Sequence, residues 1–509
     1  MSITGSRTEI PPSRLSPGNA FSREARLLSP EETAAWALGA SDLLELYGLT
    51  LSACRIIPIR SAVRPVRGDL ETVHRPRLAV SAAVAALAVT VRGRGALLDL
   101  PPDQRAAAKE SLKERNDRAA SCALAEGLFS VASASNSVCE IAIGEGVRKK
   151  PDERGSNPTL YAGQRFGSAG PVAYSVAVDA VEGTTKSTVA EGSSGCLLYI
   201  TPAPIRRVPD LYFNRCHLYE VPGVHVDSDL REILDAIRRS RRGIDVFSLD
   251  RPRHPHALMA SLGANVRTDE DGDAFPVVAT GLRWGVFPDS GRYLDGVVGN
   301  IGGAAEVIAS SAAAHYLGVR SSVRFAASSI ARWEDRYAFS PSDVETIRAA
   351  GFDESVVYGI EDLVPGIDSA DGLFVASAIT DNAHIPLLDA AVWGSNFAEA
   401  SVLMVGASGE ASISRLSFGF ASADAAARRL TPILDGLVGL PASEMKQAIR
   451  QSVSSPSGAR RLRHEFAATY YRYFTETDGK LRLDMNAARA DPAFAFVRDV
   501  ADVVREWFD

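Results

Sequence analysis

Short apolar runs that end in an acid or in paired glycines recur through the middle of this chain, and they constrain its fold more than any other feature. Cys139–Ile143 closes on Gly144-Glu145-Gly146, Tyr174–Val178 on Asp179, and Val297–Ile301 on Gly302-Gly303. Each reads as a strand that delivers an acid or a tight turn at its carboxyl end. The last is followed by Ala304–Leu317, which has the composition of a helix. Further strands are expected at Cys196–Ile200, Leu373–Ile379 and Ala400–Val405, and Val221 to about Thr280 alternates helical and extended pieces. Such alternation predicts an α/β chain.

The flanks read as mainly helical. Ser29-Pro30-Glu31-Glu32 combines a cap, a first-turn proline and acids near the positive helix end, with helical periodicity continuing to Tyr47. Residues 60–77 read as a connection, followed by helices at Leu78–Val91 and about Asp103–Ser130. Residues 1–30, rich in Ser, Pro and Arg, read as disordered or loosely attached. From Ala421 onward the chain reads as mostly helical, and Asp491-Pro492 opens a last helix with Phe494, Val497, Val500, Val504 and Trp507 on one face. Phe466, Tyr470, Tyr473 and Phe474 stand at helical spacing as a packing stripe, with Arg460, Arg461 and Arg463 as a solvated face beside them.

Composition narrows the function. A net charge of −7 over 509 residues lacks the basic excess of a nucleic-acid binder. The longest largely apolar run, Leu78–Val91, is too short to span a bilayer. Met1–Pro30 has no apolar signal core. The five cysteines form no C-x-x-C pair and read as free thiols in a reducing compartment, and His254 and His256 are the only close histidine pair. A cytoplasmic protein without nucleic-acid or membrane partners is expected.

The strongest chemical signal is Asp179-Ala-Val-Glu182-Gly183-Thr184-Thr185. Two carboxylates three residues apart on a tight turn can face one divalent cation. Free N–H groups at the following helix start can meet a phosphate oxygen. From these residues alone, a plain strand–turn–helix with a dipole-favoured acid is an equal reading. Glu145 between its glycines, Glu306 in Gly302-Gly-Ala-Ala-Glu306, and Asp117 each have an ordinary structural reading in isolation.

Taken in order, these motifs resemble class II fructose-1,6-bisphosphatases, the GlpX-like branch of the lithium-sensitive sugar phosphatases. That family's motifs read I-G-E-G-E, V-D-P-x-E-G-T with an aliphatic x, and G-I-G-G-A-P-E-G. Here they stand as Ile143-Gly-Glu-Gly-Val147, Val178-Asp-Ala-Val-Glu-Gly-Thr184 and Gly299-Asn-Ile-Gly-Gly-Ala-Ala-Glu306. Softer matches are Leu160-Tyr-Ala-Gly163, Pro209-Asp-Leu-Tyr212 with Arg215, Arg251-Pro-Arg-His254, Asp271-Gly-Asp273 and Ala376–Thr380. The similarity covers about residues 78–415. Departures are Ala180 and Ala305 in place of prolines, Asn300 as an inserted residue, Gln164 in place of an acid, and Val147–Lys150 in place of an acidic stretch.

The resemblance implies a layered α/β (α+β) sandwich, the sugar-phosphatase fold with two subdomains plus N- and C-terminal helical extensions. Its parts would be 1–77 as an extension, 78–205 as the metal-binding subdomain, 206–299 as the second, 300–420 completing the core, and 421–509 as a helical extension. It implies two or more Mg2+ or Mn2+ ions held by Asp117, Glu145, Asp179, Glu182 and Glu306. Thr184, Asp179 and Glu182 would be catalytic, with Thr184 orienting the attacking water. Gly183, Thr184, Thr185, Tyr212, Arg215, Arg253, Asp271 and Asp273 would meet a small-molecule sugar phosphate. The implied activity is hydrolysis of a sugar bisphosphate by a homo-oligomer, a dimer or tetramer. A same-fold phosphatase with another phosphate ester, or a catalytically weak sugar-phosphate binder, is the alternative.

Overall fold

The computed structural model describes residues 25–63, 68–144, 159–167, 170–209, 211–241, 243–283, 293–437, 439–471, 474–477, 480–484, 486 and 490. Among them, ten strands form one mixed sheet and six form a second. The large sheet runs, in spatial order, Arg26–Leu27, Thr50–Arg60, Ala411–Gly419, Phe397–Gly406, Leu373–Ala378, Gly195–Thr201, Val172–Glu182, Val138–Gly144 and Arg165–Gly167, with Val392–Trp393 pairing on Phe397–Gly406. Only Val138–Gly144 and Val172–Glu182 pair in parallel in it. In the second sheet Tyr212–Tyr219 lies between Val319–Ala326 and Gly296–Gly303, antiparallel to both.

Both faces of the large sheet are covered, so its central strands read as unbroken apolar runs rather than as alternation. In Val172–Glu182, Val176 and Val178 turn to one core while Ala177 turns to the other. The first core lies under helices Arg75–Arg92 and Pro102–Ala134. The second lies between the sheets and is filled by Ala274–Leu282 and Ala304–Tyr316. A third lies under helix Leu230–Ser240 on the far face of the small sheet. The result is the expected layered α/β sandwich, with helices outside, between and beyond two sheets.

The helix expected from Ser29 to Tyr47 is two helices, Pro30–Gly39 and Ser41–Tyr47, the first with a complete Ser29–Glu32 capping box. Thr50–Arg60, unassigned from sequence, is a strand inside the large sheet. The aromatic stripe is not one helix, because Pro456–Tyr471 ends before Phe474 opens the strand Phe474–Thr477. Arg461 is buried rather than solvated and donates to the main-chain oxygens of Arg429 and Thr431. The helix expected after Pro492 lies outside the described residues. All five cysteines are free and buried. No helix among the described residues is long and apolar enough to cross a membrane.

Candidate metal centre

Strand Val172–Glu182 carries the first two acids to the seam between the sheets. Its pairing with Gly195–Thr201 shifts register between Asp179 and Glu182, so the chain bulges there and both side chains are re-aimed. Val181 N–H donates to Asp179 Oδ1 at 3.0 Å, which closes the turn that the family's proline would otherwise pre-set at Ala180. Gly183 then takes φ +72°, a left-handed conformation that favours glycine, and the helix Thr184–Val189 begins.

Glu306 arrives from the second sheet. Strand Gly296–Gly303 ends in the Gly-Gly turn, and Glu306 Oε1 accepts from Gly303 N–H at 2.5 Å. Gly302 is needed for close approach: a Cβ there would stand 2.9 Å from Arg215 Cζ and 3.0 Å from Glu306 Oε1. Asp179, Glu182 and Glu306 each offer a carboxylate oxygen, and these atoms lie within 4.8 Å of one another. Asp179 and Glu182 are only 2% and 3% exposed.

Asp117 joins from the long helix Pro102–Ala134. Its Oδ1 lies 3.3 Å from Thr184 Oγ1, which is also 2.9 Å from Val181 O. Its neighbour Asn116 is buried and donates to Ser187 Oγ at 2.7 Å, fixing the two helices side by side. Thr185 follows on the same short helix. Glu145, with the Lys149-Lys150 loop, lies outside the described residues.

Burial pushes the Glu182 carboxyl up to about 7, and the nearby Asp271 charge adds to the effect. Ala274 N–H donates to Glu182 Oε1 at 3.0 Å and offsets part of it. Burial likewise raises Asp271. Grouped, desolvated carboxylates of this kind are costly without a cation. One cation is built in: Arg215 is fully buried and forms an ion pair with Asp273, which also accepts from Asn300 Nδ2 at 2.9 Å. Glu306 and Glu182 are close enough to stabilise the Arg215 charge against its desolvation.

An all-carboxylate donor set, two of its members nearly sealed from water, fits a hard divalent cation. Cys196, near Asp179 and Asp117, is held a neutral thiol by burial and offers no competing soft ligand.

The expected sugar contacts separate into two groups. Tyr212 pairs in register with Gly303 and is half-buried, and Arg253 stands close to it with its main-chain oxygen accepting from Trp333 N–H at 3.0 Å. Arg215 and Asp273 instead face each other, buried beneath the carboxylates. Asn300, read as an insertion, sits in the bulge of its strand, where the register shifts after Val297, and ties Asp273 in place. Lys186 and Asp269 escaped the sequence reading. The available signal was spacing, since Lys186 is four residues past Glu182, on the short helix that follows it, and Asp269 is two residues before Asp271.

Comparison with known proteins identifies the family. Residues 105–414, more than half of the chain, match the family described as bacterial fructose-1,6-bisphosphatase, glpX-encoded. The chain is 28% identical over 254 residues to a fructose-1,6-bisphosphatase class 2 of Haemophilus influenzae, covering 48% of this chain and 71% of that protein. It is 26% identical over 253 residues to fructose-1,6-bisphosphatase 2 class 2 of Escherichia coli, covering 47% and 73%. A D-fructose 1,6-bisphosphatase class 2/sedoheptulose 1,7-bisphosphatase of Synechocystis is 30% identical over 199 residues, covering 35% and 54%. The chain therefore belongs to the glpX-encoded bacterial fructose-1,6-bisphosphatase family.

Proposed function

We propose that this protein is a divalent-cation-dependent phosphatase that hydrolyses a phosphate monoester of a sugar bisphosphate, most simply fructose 1,6-bisphosphate or sedoheptulose 1,7-bisphosphate. The observation that carries the reading is the convergence of Asp179 and Glu182, at the end of strand Val172–Glu182, with Glu306, in the first turn of helix Ala304–Tyr316. These three would hold the ion, with Asp117 and Glu145 completing the set. Bound Mg2+ or Mn2+ supplies positive charge against the phosphoryl and leaving oxygens and acidifies water.

The chain's own groups do the rest. Thr184, with acceptors at Asp117 and Val181, orients the attacking water in line. The water's oxygen forms the new P–O bond, the ester P–O bond breaks, and the proton released by the water passes to the departing sugar oxygen. The turn at Gly183, Thr184 and Thr185 receives the phosphate, while Tyr212, Arg253 and Asp271 face the sugar. Arg215 and Asp273 support that surface from below. Five free, buried thiols support a reducing, cytoplasmic setting. A dimer or tetramer belongs to the same proposal.

A panel of phosphate esters assayed for phosphate release with Mg2+ and Mn2+ tests the reading. The two bisphosphates should be among the best substrates, and Glu182→Gln or Asp179→Asn should abolish turnover while the fold persists. No release from any ester with either ion would refute it. The burial of Arg215 with Asp273 favours, as second reading, a different phosphorylated ester, which the same panel would reveal.

A further inference from the structure

Lys186 lies on the helix Thr184–Val189, and its nearly buried ammonium is ion-paired to Asp269. The second Asp269 oxygen lies 3.3 Å from His384 Nε2. The His384 ring stands edge-on to Phe247 at 5.2 Å, and burial favours its neutral form. None of the three belongs to the carboxylate cluster.

What they hold is a turn that does reach it. Asp269 begins the stretch 269–274, whose far end, Ala274, donates its N–H to Glu182 Oε1. Asp271, in the middle, presses its charge on Glu182. Gly272 has φ +82° and rests on Ser193, where a Cβ would come within 2.3 Å of the Ser193 main-chain oxygen. Ser193 in turn donates its N–H to Asp381 O at 2.7 Å and accepts from Ala383 N–H at 3.1 Å, beside His384. Three separate segments thus meet at Asp269. Taking a Lys–Asp pair out of water offsets most of its attraction, so the consequence of the contact is geometric: Asp269 has one place to sit.

We propose that Lys186, Asp269 and His384 are positioning residues that pin the 269–274 turn, so that Ala274 N–H keeps Glu182 in its ligating place and Asp271 stays at the sugar. The inference rests on Asp179, Glu182 and Glu306 being a divalent-cation site.

The test compares Lys186→Met, Asp269→Asn, His384→Leu and Lys186→Arg with the parent, and Glu182→Gln as reference. Mn2+ affinity is read by calorimetry, kcat and KM by phosphate release from fructose 1,6-bisphosphate, and integrity by melting temperature. Loss of outer partners of a metal ligand should lower Mn2+ affinity about 10-fold or more. KM should rise in the same variants, compared at a temperature where each is fully folded because loss of a buried ion-pair partner lowers the melting point, and Lys186→Arg should recover most of both. If Asp269→Asn does not fold, His384→Leu, which spares the ion pair, carries the test. Parental Mn2+ affinity and KM in the positioning variants, with Mn2+ binding lost in Glu182→Gln, would overturn the proposal and leave the cation site standing. Full Mn2+ affinity in Glu182→Gln would sink the site reading and this proposal with it.

Discussion

At the scale of single residues, Thr184 is the most exacting position. Its hydroxyl sits between Val181 O and Asp117 Oδ1, so it can be aimed without a substrate present. Thr184→Val keeps the shape and removes the hydroxyl. We expect kcat for phosphate release to fall about 100-fold, the scale of a misplaced reacting group, with Mn2+ affinity little changed. An unaltered kcat would remove Thr184 from the chemistry. The spacing of Asp179 and Glu182 on one turn left a metal site and a plain turn as equal readings, and Glu306 entered only through the family resemblance; the structure brings the three carboxylates within 4.8 Å of one another. The Arg215–Asp273–Asn300 contact was not, since it joins two strands to a turn far away in the chain. Gln164 is a similar case. It stands where an acid was expected, yet it is buried and its Oε1 accepts from Leu160 N–H at 2.5 Å, which is a structural task.

At the scale of elements, the C-terminal helix Pro456–Tyr471 is docked on Pro102–Ala134 by buried charge. Arg460 Nε donates to Glu126 Oε2 at 3.1 Å, and Glu465 accepts from Ile433 and Leu434 N–H while pairing with Arg461. Burial pushes Glu126 up to about 7, with Arg460 and Arg461 opposing the shift, and burial lowers His464 to about 4. The fold therefore binds the Glu126 proton more tightly than the unfolded chain does. That contribution is full below about pH 4.5 and is lost as pH rises through 7. His464 runs the other way, its contribution being full above about pH 6.5 and lost as pH falls through 4. Glu126→Gln removes the first effect alone. Urea unfolding should then show the variant gaining on the parent by roughly 2–3 kcal/mol between pH 5 and 8, and a pH-independent gap would contradict this. The docking itself was hidden, because arginines at helical spacing look solvated until a partner is placed. Long helices and fully buried strands were readable from their runs. Thr50–Arg60 was not, since it holds Pro58 beside a register irregularity where a missing N–H is tolerated.

At the scale of the whole molecule, the carboxylates sit on the seam of two sheets that share one core. An ion held there would tie strand Val172–Glu182 to helix Ala304–Tyr316 and bind only the folded chain. Mn2+ at about 100 times its dissociation constant should add about 2.7 kcal/mol of stability and raise the melting temperature by a few degrees, reversed by a chelator. Identical melting with Mn2+ and with chelator would contradict a native-state site. The most direct measurement is anomalous diffraction at the manganese edge from crystals soaked in Mn2+. The account predicts a peak roughly 2 Å from carboxylate oxygens of Asp179, Glu182 and Glu306. A map with no peak among these three side chains, at saturating Mn2+, would contradict it.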